Sequence, residues 1–320
     1  MNAPTRTTFR KDTQSMKTKT KIFLLCVIIL LGLWKAEGIS SRVLRAKNFM
    51  RTQYLVWKMH RPQADISSLP AFTSTGDEWF SKYHFIAHNG GIIQGRVKSD
   101  SREAWELSYS RGIRIIDADL ALTSDNHLVL RHSWTDDLEQ TYYPNQPALQ
   151  EFTDTLIFMK YHSMTAEDMI NFMLSHDDLY VAADCKYDPV KIYSALVQTA
   201  QTMNAEKVLD RIIVSLYWTG DIDRVKSVYP FRHFVLRQYG WLHNWYSLAE
   251  FCLKNDIHVV NIFNFVIDAD PEGVKILTSK GIRVYSAVVN SLKQMQAHKD
   301  LGITGAVSDF LSEADWELLK

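Results

Sequence analysis

The sequence is poor in the features that assign a chain to a class at sight. It has only three cysteines in 320 residues. They make no disulfide framework, so stability has to come from a buried core. Lys plus Arg and Asp plus Glu balance at 36 each, which leaves no global argument for nucleic acid as a partner. No Gly-x-Gly-x-x-Gly turn is present, and an open dinucleotide-binding sheet loses its main support. Long apolar runs are scarce too. The one in the N-terminal region, Ile22 to Trp34, would make a helix roughly 20 Å long against a hydrocarbon core of about 30 Å.

That run is bracketed by Lys21 and Lys35 and follows the polar, basic residues 1–21. Its length fits a signal-peptide core, and snorkelling lysines with an interfacial Trp34 suit a short anchor. An uncleaved signal anchor over 22–38 is the preferred reading, and a signal peptide cleaved after Gly38 is the alternative. Both place the following residues outside the cytoplasm, membrane-anchored in the first case and secreted or periplasmic in the second. Ser41 to Arg61 interleaves Arg and Lys with apolar residues. It reads as a basic helix on an anionic membrane surface or as a cap and spacer. Pro62 to Thr75 reads as linker. The expected divisions are 1–21, 22–38, 39–80 and a folded domain over 81–320.

From Tyr83 onward short β-branched runs alternate with stretches of helical period. Strand candidates are 84–88, 113–120, 127–132, 179–186, 211–217, 233–239, 258–263, 283–289 and 305–310. Helical patterns separate most of them, for example Asp100–Arg111, Pro189–Glu206 and Trp245–Asn255. This rhythm predicts an α/β fold, a (β/α)8 TIM-type barrel preceded by an N-terminal hydrophobic helix. Nine candidates are one too many for the barrel, and the surplus is expected in the pair 113–120 and 127–132, which have no helix between them.

In such a barrel the functional groups stand at the C-terminal ends of the strands. Those ends carry His88, Asp117 with Asp119, His132, Asp184 with Lys186, Ser215 to Trp218, Gln238, Asn261, Asn290 and Asp309. Phe85 to Gly95 ends an apolar run on His88 and follows it with two glycines, which fits a binding floor or an ordinary turn. Asp117 and Asp119 lie two apart on a strand and point to one face, so their repulsion needs a cation or a hydrogen-bond network. If Asp125-Asn126 is a two-residue turn, Asp119 lies opposite His132. Two histidines, three aspartates and a lysine then form a phosphoryl-transfer site. One His deprotonates the nucleophile and the other protonates the leaving oxygen. A divalent cation on oxygen ligands balances phosphate charge, and Lys186 neutralises phosphate or orients Asp184.

These residues resemble a known family, the glycerophosphodiester phosphodiesterases within the phosphatidylinositol-phospholipase-C-like barrels. The resemblance runs through Ala87-His88-Asn89-Gly90-Gly91, Ser99 to Ala104, Gly112 and Ile115-Ile116-Asp117-Ala118-Asp119. It continues through Thr123 to Asn126, Arg131-His132-Ser133, Asp184-Cys185-Lys186, Val214-Ser215-Leu216, Val288-Val289-Asn290 and Ser308-Asp309. It implies that His88 and His132 are the acid–base pair and that Asp117, Asp119 and Asp184 bind Ca2+ or Mg2+. It also implies that Ser133 to Met164 is a specificity insert, which contains Trp134. Asn89, Trp134, Trp218 and Asn290 are the expected substrate contacts. The chain departs from the family pattern at Asn89, where the family has Arg. It departs again at Asp117 and Asp184, where it has Glu, and at Ser133, where it has Asp.

Two functions follow. The first is metal-dependent hydrolysis of glycerophosphodiesters or phospholipid head groups, on a substrate drawn from or held near a membrane. The second is a catalytically inactive barrel that binds a phosphorylated or lipid ligand. The histidine pair favours the first, because a binding protein has no use for a matched acid and base.

Overall fold

The computed structural model describes residues 64–76, 78–134, 145–238 and 244–320, together with Tyr54, Trp57, Met59 and His60. The chain divides into two units, Met1–Trp57 and Lys58–Lys320. The basic segment 1–21, the apolar segment 22–38 and most of 39–63 lie outside the described residues. Among the described residues no helix is long and apolar enough to cross a membrane.

The second unit is a closed barrel. Its strands are β1 (Phe85–Ala87), β2 (Ile115–Leu122), β3 (Leu128–Leu130), β4 (Tyr180–Cys185) and β5 (Ile212–Leu216). They continue with β6 (His233–Gln238), β7 (Val259–Phe263), β8 (Arg283–Ala287) and β9 (Gly305–Ser308). The order is β1-β9-β8-β7-β6-β5-β4-β2-β3, and a further β1–β2 pairing closes the ring. Every pairing is parallel except that of β2 with β3. The surplus strand is therefore β3, in the pair where the sequence placed it. It folds back on β2 by a hairpin, which needs no helix.

Helices return the chain between the parallel strands, among them Arg102–Ser110, Ala166–Ser175, Pro189–Thr202, Trp245–Asn255, Pro271–Thr278 and Leu292–Asp300. Their starts follow from sequence. Ser101 accepts from the Ala104 N–H, Thr165 and Asp168 form a capping box, and Pro189 and Pro271 sit where no N–H is needed. Their apolar faces meet the outer residues of the sheet, including Ile116, Ala118, Val181, Val214 and Val260.

The inner face of the barrel explains the site. Ile86, Ile115, Ala182, Ile213, Val235, Val259 and Val307 form a separate buried cluster with Trp79 and Phe80. Side chains alternate across a strand, so the next inward residue lies two positions further on. Those residues are His88, Asp117, Asp184, Ser215, Arg237, Asn261 and Asp309. The interior thus changes from hydrocarbon to polar in a single layer, towards the C-terminal ends of the strands.

Residues expected in the juxtamembrane helix and the linker also pack on the barrel. The Phe72 N–H donates to the Lys280 carbonyl at 2.9 Å, and His60 Nε2 lies 2.6 Å from Asp270 Oδ1. The compact unit therefore begins upstream of residue 81.

Candidate active site

His88 leaves β1 into a short turn with left-handed backbone at Asn89, Gly90 and Gly91 (φ 47, 82 and 87°). A Cβ on Gly91 would fall 2.4 Å from Ser108 Oγ, and one on Gly90 would fall 2.9 Å from the Trp105 ring. The two glycines therefore serve the turn and the close packing of helix Arg102–Ser110. The turn fixes the imidazole. His88 Nδ1 lies 2.8 Å from Asp309 Oδ1 at the end of β9. Burial alone would raise the Asp309 carboxyl, but hydrogen bonding to His88, its charge and the Asn290 amide hold it below its usual range. An ionised Asp309 can only accept, so Nδ1 is held as a donor and Nε2 is the nitrogen left to exchange a proton. Asn290 supports this arrangement. Its Nδ2 donates to Asp309 Oδ2, while its Oδ1 accepts from the Asp309 N–H at 2.9 Å and from Ser308 Oγ at 3.0 Å.

The three expected aspartates converge, and β2 and β4 set Asp119 level with Asp184. Asp117 accepts from both terminal nitrogens of Arg237, Oδ2 from Nη1 at 3.3 Å. Arg237 Nε donates to Ser215 Oγ at 2.8 Å, and its Nη1 lies 3.8 Å from Asp184 Oδ2. Lys186 Nζ donates to Asp119 Oδ1 and, at 3.0 Å, to Asp184 Oδ2. The Tyr217 hydroxyl also donates to Asp184 Oδ2, at 2.7 Å. Asn89 is buried beneath this group, and its Nδ2 donates to Asp119 Oδ2 and, at 3.2 Å, to Asp100 Oδ2. The result is an alternating chain of charges: Asp117, Arg237, Asp184, Lys186, Asp119. The compensation that the Asp117–Asp119 pair needs comes from the protein's own Arg237 and Lys186.

Burial pushes the Asp119 carboxyl up to about 6, against the opposing pull of Lys186. Burial acts on Asp184 in the same sense, but Arg237 and Lys186 outweigh it and hold that carboxyl well below the usual range. Burial, with Asp119 and Asp117 close by, pushes the Asp100 carboxyl far above its usual range, against the hydrogen bonds it accepts from Asn89 and the Asp119 N–H.

Several placements differ from the sequence reading. The hairpin between β2 and β3 pairs Leu120 with Leu130, Ala121 with Val129 and Leu122 with Leu128. Its loop holds three residues, because the Thr123 N–H donates to the His127 carbonyl and Asn126 takes the left-handed position at φ 66°. The extra loop residue shifts the register by one, and Arg131 lies across from Asp119 with its N–H on the Asp119 carbonyl at 2.7 Å. His132 is the next residue along, near enough for its charge to act on Asp119. Gln238 ends β6, but the inward side chain is that of Arg237. Trp134 turns outward, its indole N–H on the Leu122 carbonyl at 3.1 Å and its ring edge-on to Phe152. Trp218 is 48% exposed just beyond β5. Cys185 and Cys252 are buried free thiols; Cys26 lies outside the described residues.

The three carboxylates invite a test for a divalent ion. Calcium takes about six to eight oxygens and magnesium a near-ideal octahedron. Both oxygens of Asp117, both of Asp119 and Oδ2 of Asp184 already accept from nitrogen or hydroxyl donors. Only Asp184 Oδ1 among them lacks a partner. Among the described residues no three His, Cys, Asp or Glu side chains are grouped to hold a metal. The arrangement does not fit a resident divalent cation.

No protein-family model and no curated protein matches the chain. Solved structures do. A phosphodiesterase from Oleispira antarctica, solved with the product sn-glycerol-3-phosphate, superposes with a TM-score of 0.60 at 13% identity over 73% of this chain and 95% of that one. This is the fold of the glycerophosphodiester phosphodiesterases. An enzyme of that description from Parabacteroides distasonis gives 0.59 at 17% identity over 73% and 95% of the two chains. One from Thermotoga maritima gives 0.52 at 15% over 73% and 96%. The phosphodiesterase fold thus spans nearly the whole of each neighbour, and what the site does here rests on its own residues.

Proposed function

We propose that the chain hydrolyses phosphodiesters of the glycerophosphodiester or phospholipid head-group class, with His88 and His132 as the acid–base pair. The observation that carries this reading is the His88–Asp309–Asn290 relay at the polar mouth of the barrel. A carboxylate that fixes one imidazole nitrogen and frees the other is the arrangement a general base needs. A site built only to bind phosphate has no use for it. The product held by the Oleispira neighbour supports the substrate class.

Nε2 of His88 takes a proton from the attacking water as its oxygen bonds to phosphorus. His132 gives a proton to the departing alkoxide, and the products are a phosphomonoester and an alcohol. The two histidines then exchange protons with solvent. Lys186 is the cation of the charge chain that reaches solvent, its side chain 35% exposed. An ammonium has three N–H donors, and the two carboxylates occupy two of them, which leaves one for a non-bridging phosphate oxygen. Arg237 is sealed beneath and acts by holding Asp117 and Asp184. Asn89 and Asn290 position other side chains, while Trp218 remains a candidate substrate contact. Membrane attachment through 22–38, with the barrel outside the cytoplasm, belongs to the same proposal and would bring a lipid-derived substrate close.

The test is turnover of glycerophosphocholine, glycerophosphoinositol and lysophospholipids by the full chain, with release of the phosphomonoester followed. Turnover by folded protein is expected. Binding of the phosphomonoester without turnover of any substrate would favour the non-catalytic barrel.

A further inference from the structure

We infer that Arg237 and Lys186 are the resident cations of this site and stand in for a divalent metal, so that it takes up no calcium or magnesium. The statement about ion binding rests on geometry alone; its consequence, metal-independent turnover, rests on the phosphodiesterase reading.

Three observations carry it. First, the protein cations bridge the carboxylates in the way an ion would. Arg237 faces Asp117 and Asp184, and Lys186 faces Asp184 and Asp119. Second, the guanidinium is fixed from behind. Its side chain is 2% exposed and its Nε donates to Ser215 Oγ at 2.8 Å. Third, Asn89 and Tyr217 occupy further oxygens of the same carboxylates. An incoming ion would have to expel a buried guanidinium and find most of its oxygen shell already taken. Asp184 Oδ1 is the single carboxylate oxygen of the three with no partner, and one oxygen does not hold a hard cation.

The charge placement also divides the labour. Arg237 cannot reach solvent, so it neutralises. The Lys186 side chain is 35% exposed, so it both neutralises and meets the ligand. A phosphate entering the mouth meets one ammonium donor, where a metal site would offer open coordination positions.

The experiment measures ion uptake and turnover separately on the full chain. Thermal unfolding and titration calorimetry are run with calcium, magnesium or chelator. No change in Tm and no saturable heat are expected. Saturable binding with a Tm rise that Asp117→Asn abolishes would overturn the inference. The second arm uses Arg237→Ala, and Lys186→Met should the first fail to fold. Removing a resident cation should create a calcium site, with a Tm rise of roughly 5–10 °C at about a hundred times Kd. A folded variant that gains no calcium binding would overturn the stand-in role. Turnover unchanged by chelator is expected. Turnover lost with chelator and restored by calcium would overturn the inference and leave the phosphodiesterase reading standing. Absence of all turnover would sink that reading, while the ion-binding arms still decide this one.

Discussion

Replacing Arg237 by Met probes the charge chain most severely. Both side chains of the Arg237–Asp117 pair are 2% exposed. Methionine keeps much of the aliphatic stem but leaves an ionised carboxylate in a dry interior with no counter-charge. Breaking a buried pair from one side costs about 3–5 kcal/mol. For a domain of this size each kcal/mol lowers Tm by roughly 2–4 °C, so the expected fall is about 6–20 °C. The assay is thermal and denaturant unfolding of wild type, Arg237→Met, Asp117→Asn and the double variant at neutral pH. Because the pair is in direct contact, the double variant should recover about 1–3 kcal/mol relative to the sum of the single changes. The recovery stays incomplete, since Asp184 also loses Arg237. A loss under about 1 kcal/mol for Arg237→Met, or strict additivity, would refute the picture of a sealed ion pair.

Further outcomes follow from the same geometry. Asp309→Asn should lower kcat by about 10²–10⁴ with little change in KM, because His88 loses its orienting acceptor; equal activity in steady-state kinetics would remove the relay. The folded chain holds a proton on Asp119 up to about pH 6, whereas an unfolded Asp releases it near 3.9. The native state binds more protons in that window, so this contribution is full below about pH 4 and is lost as pH rises through 6. The wild-type minus Asp119→Asn difference in denaturant stability should therefore fall between those values, and a flat difference would contradict the assignment. Gly273→Ala would set a Cβ 1.9 Å from the fully buried Trp245 indole. Overpacking of this kind costs about 1–3 kcal/mol, and a variant as stable as wild type in urea would show that the indole can move.

Much of the barrel was legible because strands of period two and helices of period 3.6 alternate along most of it, the β2–β3 hairpin apart. The pair Asp117 and Asp119 was legible for the same reason, since parity alone puts both on one face. Arg237 was missed by reading the last residue of β6 instead of its inward parity. A charged side chain within HFVLRQ was the available signal. The hairpin failed by one residue because Asp125-Asn126 suits a two-residue turn, and the choice of Thr123–His127 as the closing pair depends on Asn126 taking the left-handed position. The His88–Asp309 contact joins residues 221 positions apart. It exists because β9 closes on β1, and no local pattern encodes closure. Asp100 looked like part of a helix start. Only the packing of Asn89 and Trp105 around it shows a buried carboxyl beneath the site.

The most direct measurement is phosphodiester hydrolysis by the full chain beside His88→Ala and His132→Ala, each shown to be folded. The account expects turnover in wild type and a loss of about 10²–10⁴ in each variant, the usual share of a general acid or base. Turnover that survives both substitutions, or no turnover in folded wild type on any glycerophosphodiester or lysophospholipid, would contradict it.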